Sequence, residues 1–480
     1  MLPLLAAAVI SIGPTDDYTK IEAAQPGDEV VIAPGTYKFL VYLTQKAPAD
    51  APIVIHAQDP KNPPVWDLSG TQLDGAPGSY GAGDRGRGCW QLSGATNITI
   101  ESIVFSGCRN ADMDAAGIRY YEGATGIVIR DCVFRGNDDG VTGGTQDSEA
   151  TVEFSEFDGN GNTAATSPTH NVYNYGGTFT LRYSYLHDPT QGQNFHVRAK
   201  QALIESNWIE NGKSYEGDLM TDDDATGSAL TQSMIFRGNV IVEGNPDNHG
   251  QIIAVYNDSG AQNLTMNVEV LNNTVIAAAP QGALVHLSNA DHTKMSAVIS
   301  NNVLVTSTTA YKIEDAANAT VSGASNWFQT GTSDAPLTGS IFGSDPMFAT
   351  AYRLASGSPA IGAAASVQNA PVTEYYLDDK TTRMYRVRAS VHDLGAFEST
   401  TTGPGIGPYD TQPPVDGGVS FGDGGGSGDG GGSGDAGGGG GGGGGGCGCD
   451  VVGSSAPGWS AAFAAVFLGL ACRRRARRAS

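Results

Sequence analysis

Four stretches, QALIESNWI (201–209), SMIFRGNVI (233–241), NVEVLNNTV (267–275) and SAVISNNVL (296–304), carry apolar side chains at their second and fourth positions and an asparagine at their seventh. Alternation with a period of two marks a strand with one buried face. The asparagines Asn207, Asn239, Asn273 and Asn302 continue to Asn326, at separations of 32, 34, 29 and 24 residues. A recurring amide at this irregular period is what a stack of similar coils shows, because each side chain can bond to the one above. Working outward, NITIESIVF (97–105), GIVIRDCVF (126–134) and TFTLRYSYL (178–186) repeat the phrase. Second short strands lie between: GIRYY (117–121), HNVYNY (170–175), NFHVRA (194–199), GDLMTD (217–222), QIIAVY (251–256) and ALVHLS (283–288). Two or three strands per coil, Gly, Asn and Asp at the corners and no helical periodicity specify an all-β, parallel β-helix. A sandwich would need turn signals every roughly 8 to 12 residues and tight hairpins.

Solenoids grow by adding coils, so 480 residues do not require a second globular domain. The β-helix domain is expected over residues 14–398. The formal net charge is −23; the last 34 residues hold five of the 27 basic and one of the 50 acidic groups, which leaves −27 on the rest. Such a surface repels nucleic acid and anionic lipid. It also repels a polyanionic sugar unless basic residues gather in one groove or cations bind. Cys89, Cys108 and Cys132 show no metal-ligand spacing with histidines. Cys132 falls in the asparagine column and reads as a packed core residue, while a Cys89–Cys108 disulfide is open.

The opening MLPLLAAAVISIG (1–13) is apolar and small, with no basic residue before the run. It reads as a signal segment without its basic region, the alternative being a buried first strand. Asp17 is placed to cap a short helix whose apolar face includes Ile21 and Ala24, covering the open edge of the first coil. Residues 399–446, ending in ten glycines from Gly437 to Gly446, read as a disordered linker with a reach of ~35 to 40 Å. Residues 447–480 combine Cys447-Gly448-Cys449, an apolar run from about Ala456 to Cys472, and the arginines Arg473, Arg474, Arg475, Arg477 and Arg478. That order resembles the C-terminal sorting signal of myxobacterial surface proteins, which implies a secreted protein held at the outer surface through its tail; a plain membrane anchor is the other reading.

For chemistry, aligning the second strands on Val172, Phe195, Leu219 and Ile252 puts Asn171, Asn194, Asp218 and Gln251 in one flanking column, and Tyr173, His196, Met220 and Ile253 in the other. Tyr175 and Arg198 follow two places on. His196, Arg198 and Lys200 then share one strand face, the one place where basic residues gather on this acidic chain. With coils ~4.8 Å apart, these groups can reach one sugar. Abstracting a proton beside a carboxylate needs that carboxylate neutralised and a base near the carbon. Arg198 suits the first task, His196 or Lys200 the second, and Tyr173 or Tyr175 the protonation of the leaving oxygen. Asn171, Tyr175, Asn194 and Asp218 are the expected substrate contacts. The competing reading of this face is solvated surface.

AAQPGDEVVIAPGTY near the start, the run of coils, and YRLASGSPAIGAA with DLGAFE (393–398) near the end resemble secreted right-handed parallel β-helix proteins of the pectin-lyase-like superfamily, especially the chondroitinase B and alginate lyase group. The resemblance covers roughly residues 17–398 and implies polysaccharide degradation. It also implies a lysine base, an arginine, and calcium held by Asn and Glu. Here His196 stands where that lysine is expected, and Gln193 and Phe195 fall where the glutamates are expected. Asp222 and Asp223, followed by Asp224, are the alternative calcium ligands. Asn137-Asp138-Asp139-Gly140 is similar to the paired aspartates of pectin-degrading hydrolases, but reads first as an ordinary coil corner. The expectation is a monomeric, surface-attached enzyme acting on an acidic polysaccharide, by elimination more than hydrolysis, with a non-catalytic adhesin as the rival class.

Overall fold

The computed structural model describes residues 7–73, 86–221, 230–244, 251–257, 264–289, 292–376, 380–410 and 419–421. Three long sheets of 12, 12 and 10 strands are built from parallel pairs only, so each turn of the chain adds one rung to each sheet. In one coil, Gln201–Glu205 lies in the first sheet, Trp208–Glu210 in the second and Gly217–Met220 in the third. The right-handed parallel β-helix expected from the repeats is the fold.

Its core consists of stacked columns of like residues. Ile100, Ile129, Val152, Leu181, Ile204, Phe236, Val270 and Ile299 lie in register along the first sheet, all buried. In the second sheet Phe105, Phe134 and Phe157 stack with ring centroids 5.3 and 4.8 Å apart. The asparagines form the predicted ladder at the corner between these sheets. The backbone N–H of Asn207 donates to Asn239 Oδ1 at 3.0 Å, and the relation repeats from Asn239 to Asn273, Asn302 and Asn326. Ser184, Ser155 and Cys132 continue the column downward, with Cys132 buried as expected. The corner needs a left-handed residue before each ladder position. Ser206, Gly238, Asn272, Asn301 and Ser325 supply it, with φ of 50°, 65°, 52°, 61° and 56°.

At the start, the capping helix is Tyr18–Glu22: Asp17 accepts from Thr19 N at 2.9 Å, and Ile21 and Ala24 are buried. Of the expected signal segment, residues 1–13, the first six lie outside the described residues, and residues 9–12 take the form of the alternative, a first strand. Val9–Ile12 is a strand paired with Glu29–Ile32, with Ile12 in the core. Alternating small apolar residues serve an edge strand as readily as a leader. Cys89 and Cys108 are joined as a disulfide, their Cα atoms 5.6 Å apart.

The far end also departs from expectation. After the last coil the chain turns back and runs down the asparagine corner. Asn301 Nδ2 donates to Ala365 O, Arg237 Nη1 to Asn369 O, and Ser206 Oγ to Thr373 O, at 2.9, 3.0 and 3.2 Å. Further down, Arg383 pairs with Asp131 and Glu156, both at 2.9 Å. Glu398 of the DLGAFE motif, buried, accepts from Arg388 and Ser390 while its N–H bonds Glu374. This strap continues past Glu398: Ile406 bridges Tyr385 and the Tyr409 hydroxyl bonds Asp131 at 2.8 Å. The strap thus runs on to Asp410, beyond the expected start of the linker. Residues 411–418 and 422–480, including the glycine run and the Cys, apolar and Arg segments, lie outside the described residues. No helix among the described residues is long and apolar enough to cross a membrane.

Candidate functional site

The third sheet carries the candidate face, and its register corrects the sequence alignment. Phe195 pairs with Gly217, not Leu219, and Gly217 with Ile253. A Cβ on Gly217 would stand 1.8 Å from Phe195 Cζ, so the Phe195 ring occupies the space a side chain there would use. The strand therefore sits two residues from the position that apolar matching suggests, and Asp218 joins the column of His196. The outward column reads Gln91, Arg119, Thr142, Tyr173, His196, Asp218, Ala254, His286. Its neighbour two residues on holds Tyr121, Tyr175 and Arg198.

His196 and Asp218 form a buried pair: Asp218 Oδ2 lies 3.1 Å from His196 Nδ1, and Asp218 is fully enclosed. Burial, then the charge of Arg198 and the nearby His170, hold the His196 imidazole well below its usual range, so it is neutral. With Nδ1–H donated to the carboxylate, Nε2 carries the lone pair, and that atom is buried with no hydrogen-bond partner among the described residues. Around the ring lie Tyr173 at 4.5 Å and His170 at 4.8 Å between centroids, with Tyr175 4.2 Å from Tyr173. Arg198 donates from Nη1 to Thr221 O at 3.2 Å, and its guanidinium carbon is 6.0 Å from the Tyr173 ring centre. His170 takes a hydrogen bond from Gln193 N at 3.3 Å; burial and Arg198 push it down to about 3.

Other expected contacts are placed differently. Asn171 and Asn194 are not on the wall: they belong to a second internal ladder at the corner leading into this sheet. Asn160 donates to Asn171, Asn171 to Asn194 and Asn194 to Glu216, at 2.9, 2.7 and 2.8 Å, and all four are fully buried. Their amides also bond the carbonyls of His187 and Glu210, so their role is structural. Lys200 lies past the strand Phe195–Val197, at the turn after buried Ala199, and is exposed; among the described residues nothing joins its ammonium to His196 or Arg198. Tyr175 is half-buried in the wall, and burial raises its phenol far above the usual value. Asp222 and Asp223 lie outside the described residues.

Calcium held from this strand does not fit the donor set. Asn194 has both ends of its amide occupied in the ladder, Phe195 points into the core 5.8 Å from the Phe236 ring, and Asp218 faces His196. Elsewhere, Glu156, Asp158 and His187 bring ligand atoms within 4.8 Å of one another on the second sheet. There Arg135 and Arg383 already neutralise Glu156, at 3.0 and 2.9 Å, which disfavours a cation.

The Asn137–Gly140 tetrad divides by role. Asn137 continues the second ladder to Asn160, and Asp138 is enclosed, accepting from Asn110 N, Ala115 N and Asn162 Nδ2. Asp139 instead adjoins the wall. Its Oδ1 accepts from His170 N at 2.6 Å, and burial, then the charges of Asp114 and Asp138, push its carboxyl up to about 8. Burial works to raise Asp114 as well, but its hydrogen bond and charge pairing with Arg87 prevail and lower it. His170, Asp114, Thr142 and Arg119 were not anticipated as site residues.

No family model and no curated protein matches the chain. Among solved structures it is similar to the pectate lyase Pel9A, with 14% identity over 82% of this chain and 97% of that one and a TM-score of 0.51. An alginate lyase from Paenibacillus sp. str. FPU-7 matches with 14% identity, 70% and 98% coverage and a TM-score of 0.35. A mannuronic acid specific polysaccharide family 6 lyase from human gut microbiota matches with 12% identity, 72% and 88% coverage and a TM-score of 0.42. At these identities the likeness is one of fold, and it rests on the first of the three.

Proposed function

We propose that this protein is a polysaccharide lyase that cleaves a uronic-acid-containing chain by β-elimination. One observation carries the reading: a buried His196–Asp218 pair whose Nε2 has no partner among the described residues, beside Arg198 and two tyrosines. In this reading the Arg198 guanidinium pairs with the substrate carboxylate and acidifies the neighbouring C–H. His196 Nε2 takes that proton, and Asp218 stabilises the imidazolium that forms. The electron pair of the C–H bond becomes the new carbon–carbon double bond as the glycosidic C–O bond breaks, and Tyr173 protonates the leaving oxygen. Tyr175, beside it, is the contact to the sugar. Arg198 is the positive charge that a uronate carboxylate would meet on this face, His196 and His170 being neutral.

A second reading rests on the carboxyls. Asp139, protonated at neutral pH, and Asp114, ionised, are two acids pushed apart as general acid and base are in glycoside hydrolysis. Incubating the purified protein with alginate, pectate and chondroitin separates the readings. Unsaturated, ultraviolet-absorbing ends support elimination, reducing ends without that absorbance support hydrolysis, and neither product from any polymer favours a binding or adhesive role. A chelator control tests for calcium, including on Asp222 and Asp223. We place the protein outside the cytoplasm, as a monomer held at the cell surface by its tail; the Cys89–Cys108 disulfide supports an oxidising compartment.

A further inference from the structure

We infer that the outer face of the first sheet is a seat for the chain's own tail, in which Asn369 holds the main chain at Ser420 and a groove along Ile235 and Val298 receives the Phe421 ring. The inference goes beyond the proposed activity and does not depend on it. Between Tyr409 and Trp459 the sequence has one aromatic residue, Phe421, followed by a run of Gly, Ser and Asp that offers it no core. A ring in such surroundings leaves water only by packing on the folded body.

The face is built to receive it. An outward column of the first sheet reads Thr151, Thr180, Leu203, Ile235, Glu269, Val298 from rung to rung, so threonines give way to mostly apolar residues. Leu203 and Ile235 are only 6% and 2% exposed although they point away from the core. Phe421 lies in the groove lined by Ile235, Asn267, Glu269, Ser296 and Val298. Beside it, both ends of the Asn369 side chain pair with the backbone of Ser420: Ser420 N donates to Oδ1 at 3.0 Å, and Nδ2 donates to Ser420 O at 3.1 Å. That is the two-bond pattern one strand offers a neighbour, and it reads the main chain while Ser420 itself stays exposed. Asn369 is buried and held in place. Its Nδ2 also donates to Glu269 Oε1 at 2.9 Å, and its carbonyl accepts from Arg237 Nη1 at 3.0 Å. The bond to Glu269 fixes which end of the amide is the donor, so the pairing with Ser420 needs little further ordering. Phe195 of the third sheet and Phe236 of the first meet across the core at 5.8 Å, so the outer faces of those sheets point apart. The tail is therefore held on the side of the body away from His196.

The test is hydrogen exchange at the Ser420 amide of the full chain, read at single-residue resolution against a free peptide of residues 412–428. In the folded chain this amide is expected to exchange at least about tenfold more slowly than in the peptide, since it opens only when the tail leaves the seat. Phe421→Ala lies outside the coils and should remove most of that protection, the loss of a partly buried ring being worth about tenfold; Phe421→Leu should keep part of it. Asn369→Ala should also remove the protection through the two lost bonds, with thermal unfolding as the check that the coils remain folded. If Asn369→Ala does not fold, Phe421→Ala decides. A Ser420 amide that exchanges at the peptide rate in the folded wild-type chain overturns the seat. So does protection that survives Phe421→Ala. Protection that appears only at concentrations where sedimentation shows a dimer overturns it as well, because the groove then takes the tail of a second copy. No polysaccharide enters the experiment, so its outcome is separate from that of the lyase reading.

Discussion

Replacing Asp218 with Asn tests the proposed base directly. The two side chains have nearly the same volume, so the enclosed position between His196 and the following rung accepts the change sterically. What is removed is a negative charge 3.1 Å from the ring that must become an imidazolium in the transition state. Two unit charges ~4 Å apart interact by ~4 kcal/mol at an effective dielectric constant near 20. At ~1.4 kcal/mol per tenfold in rate, kcat should fall by about a thousandfold. The pH profile adds a check of sign. His196 acts as a base only when neutral, and its pKa is depressed, so the acidic limb of the wild-type profile lies below the ordinary histidine value of 6.5. Removing the carboxylate disfavours the imidazolium further, so that limb must move to still lower pH while the plateau drops. The assay is the initial rate of unsaturated-product formation against pH, with thermal unfolding as the control for folding. A folded Asp218→Asn protein that keeps kcat within twofold of wild type, on a substrate for which His196→Ala is inactive, would refute the dyad.

Three further outcomes follow from the same structure. Asn239→Ala removes the acceptor for Asn207 N and Nδ2 and the donor to Ile204 O, and should cost about 2 to 4 kcal/mol in chemical denaturation; a loss under about 0.5 kcal/mol would mean the ladder is ornamental. Gly217→Ala drives a methyl into the Phe195 ring and should lower the unfolding midpoint by several degrees, and adding Phe195→Leu should restore most of it. If the double variant is no better than the single, the contact is not the cause. For Asp139, the folded-state pKa of about 8 lies above the unfolded value of 3.8, so folding retains a proton that unfolding releases. That contribution is full below the unfolded pKa and is lost as pH rises toward 8. The stability of Asp139→Asn relative to wild type should therefore increase between about pH 4 and 8 and then level off; a constant difference would show that Asp139 is ionised at neutral pH.

The asparagine corner was legible because its geometry is local. A left-handed residue, then an amide that bonds the next coil, recurs as Ser206-Asn207, Asn272-Asn273 and Ser325-Asn326 whatever the loops in between do. The second ladder hid because its members are bound by position and not by phrase. Asn160, Asn171, Asn194 and Glu216 follow one another at 11, 23 and 22 residues and end on a different residue type. Read as part of a surface column, Asn171 and Asn194 became substrate contacts, although a buried amide with every partner satisfied has nothing left to offer a sugar. The strap hid for a related reason: its contacts with the coils join residues far apart in sequence, 64 between Asn301 and Ala365 and 132 between Arg237 and Asn369, and no periodicity records such a pairing.

The candidate face was partly legible, and the missing part traces to one ring. His196, Arg198 and Tyr173 were placed on one face because alternation within a strand decides which side chains point outward. Their relation to Asp218 was not, because alignment by apolar matching gives every inward position a side chain, whereas Phe195 fills its own space and that of Gly217 above it. A slip of two residues preserves which face a residue occupies, so the strand still looked correct while Asp218 moved a full column away. The consequence is chemical. With Asp218 in the column of Asn194, His196 has no acidic partner on the wall. With Asp218 one rung above it, His196 has a fixed tautomer, a counter-charge for a proton it would accept, and an Nε2 with no hydrogen-bond partner among the described residues.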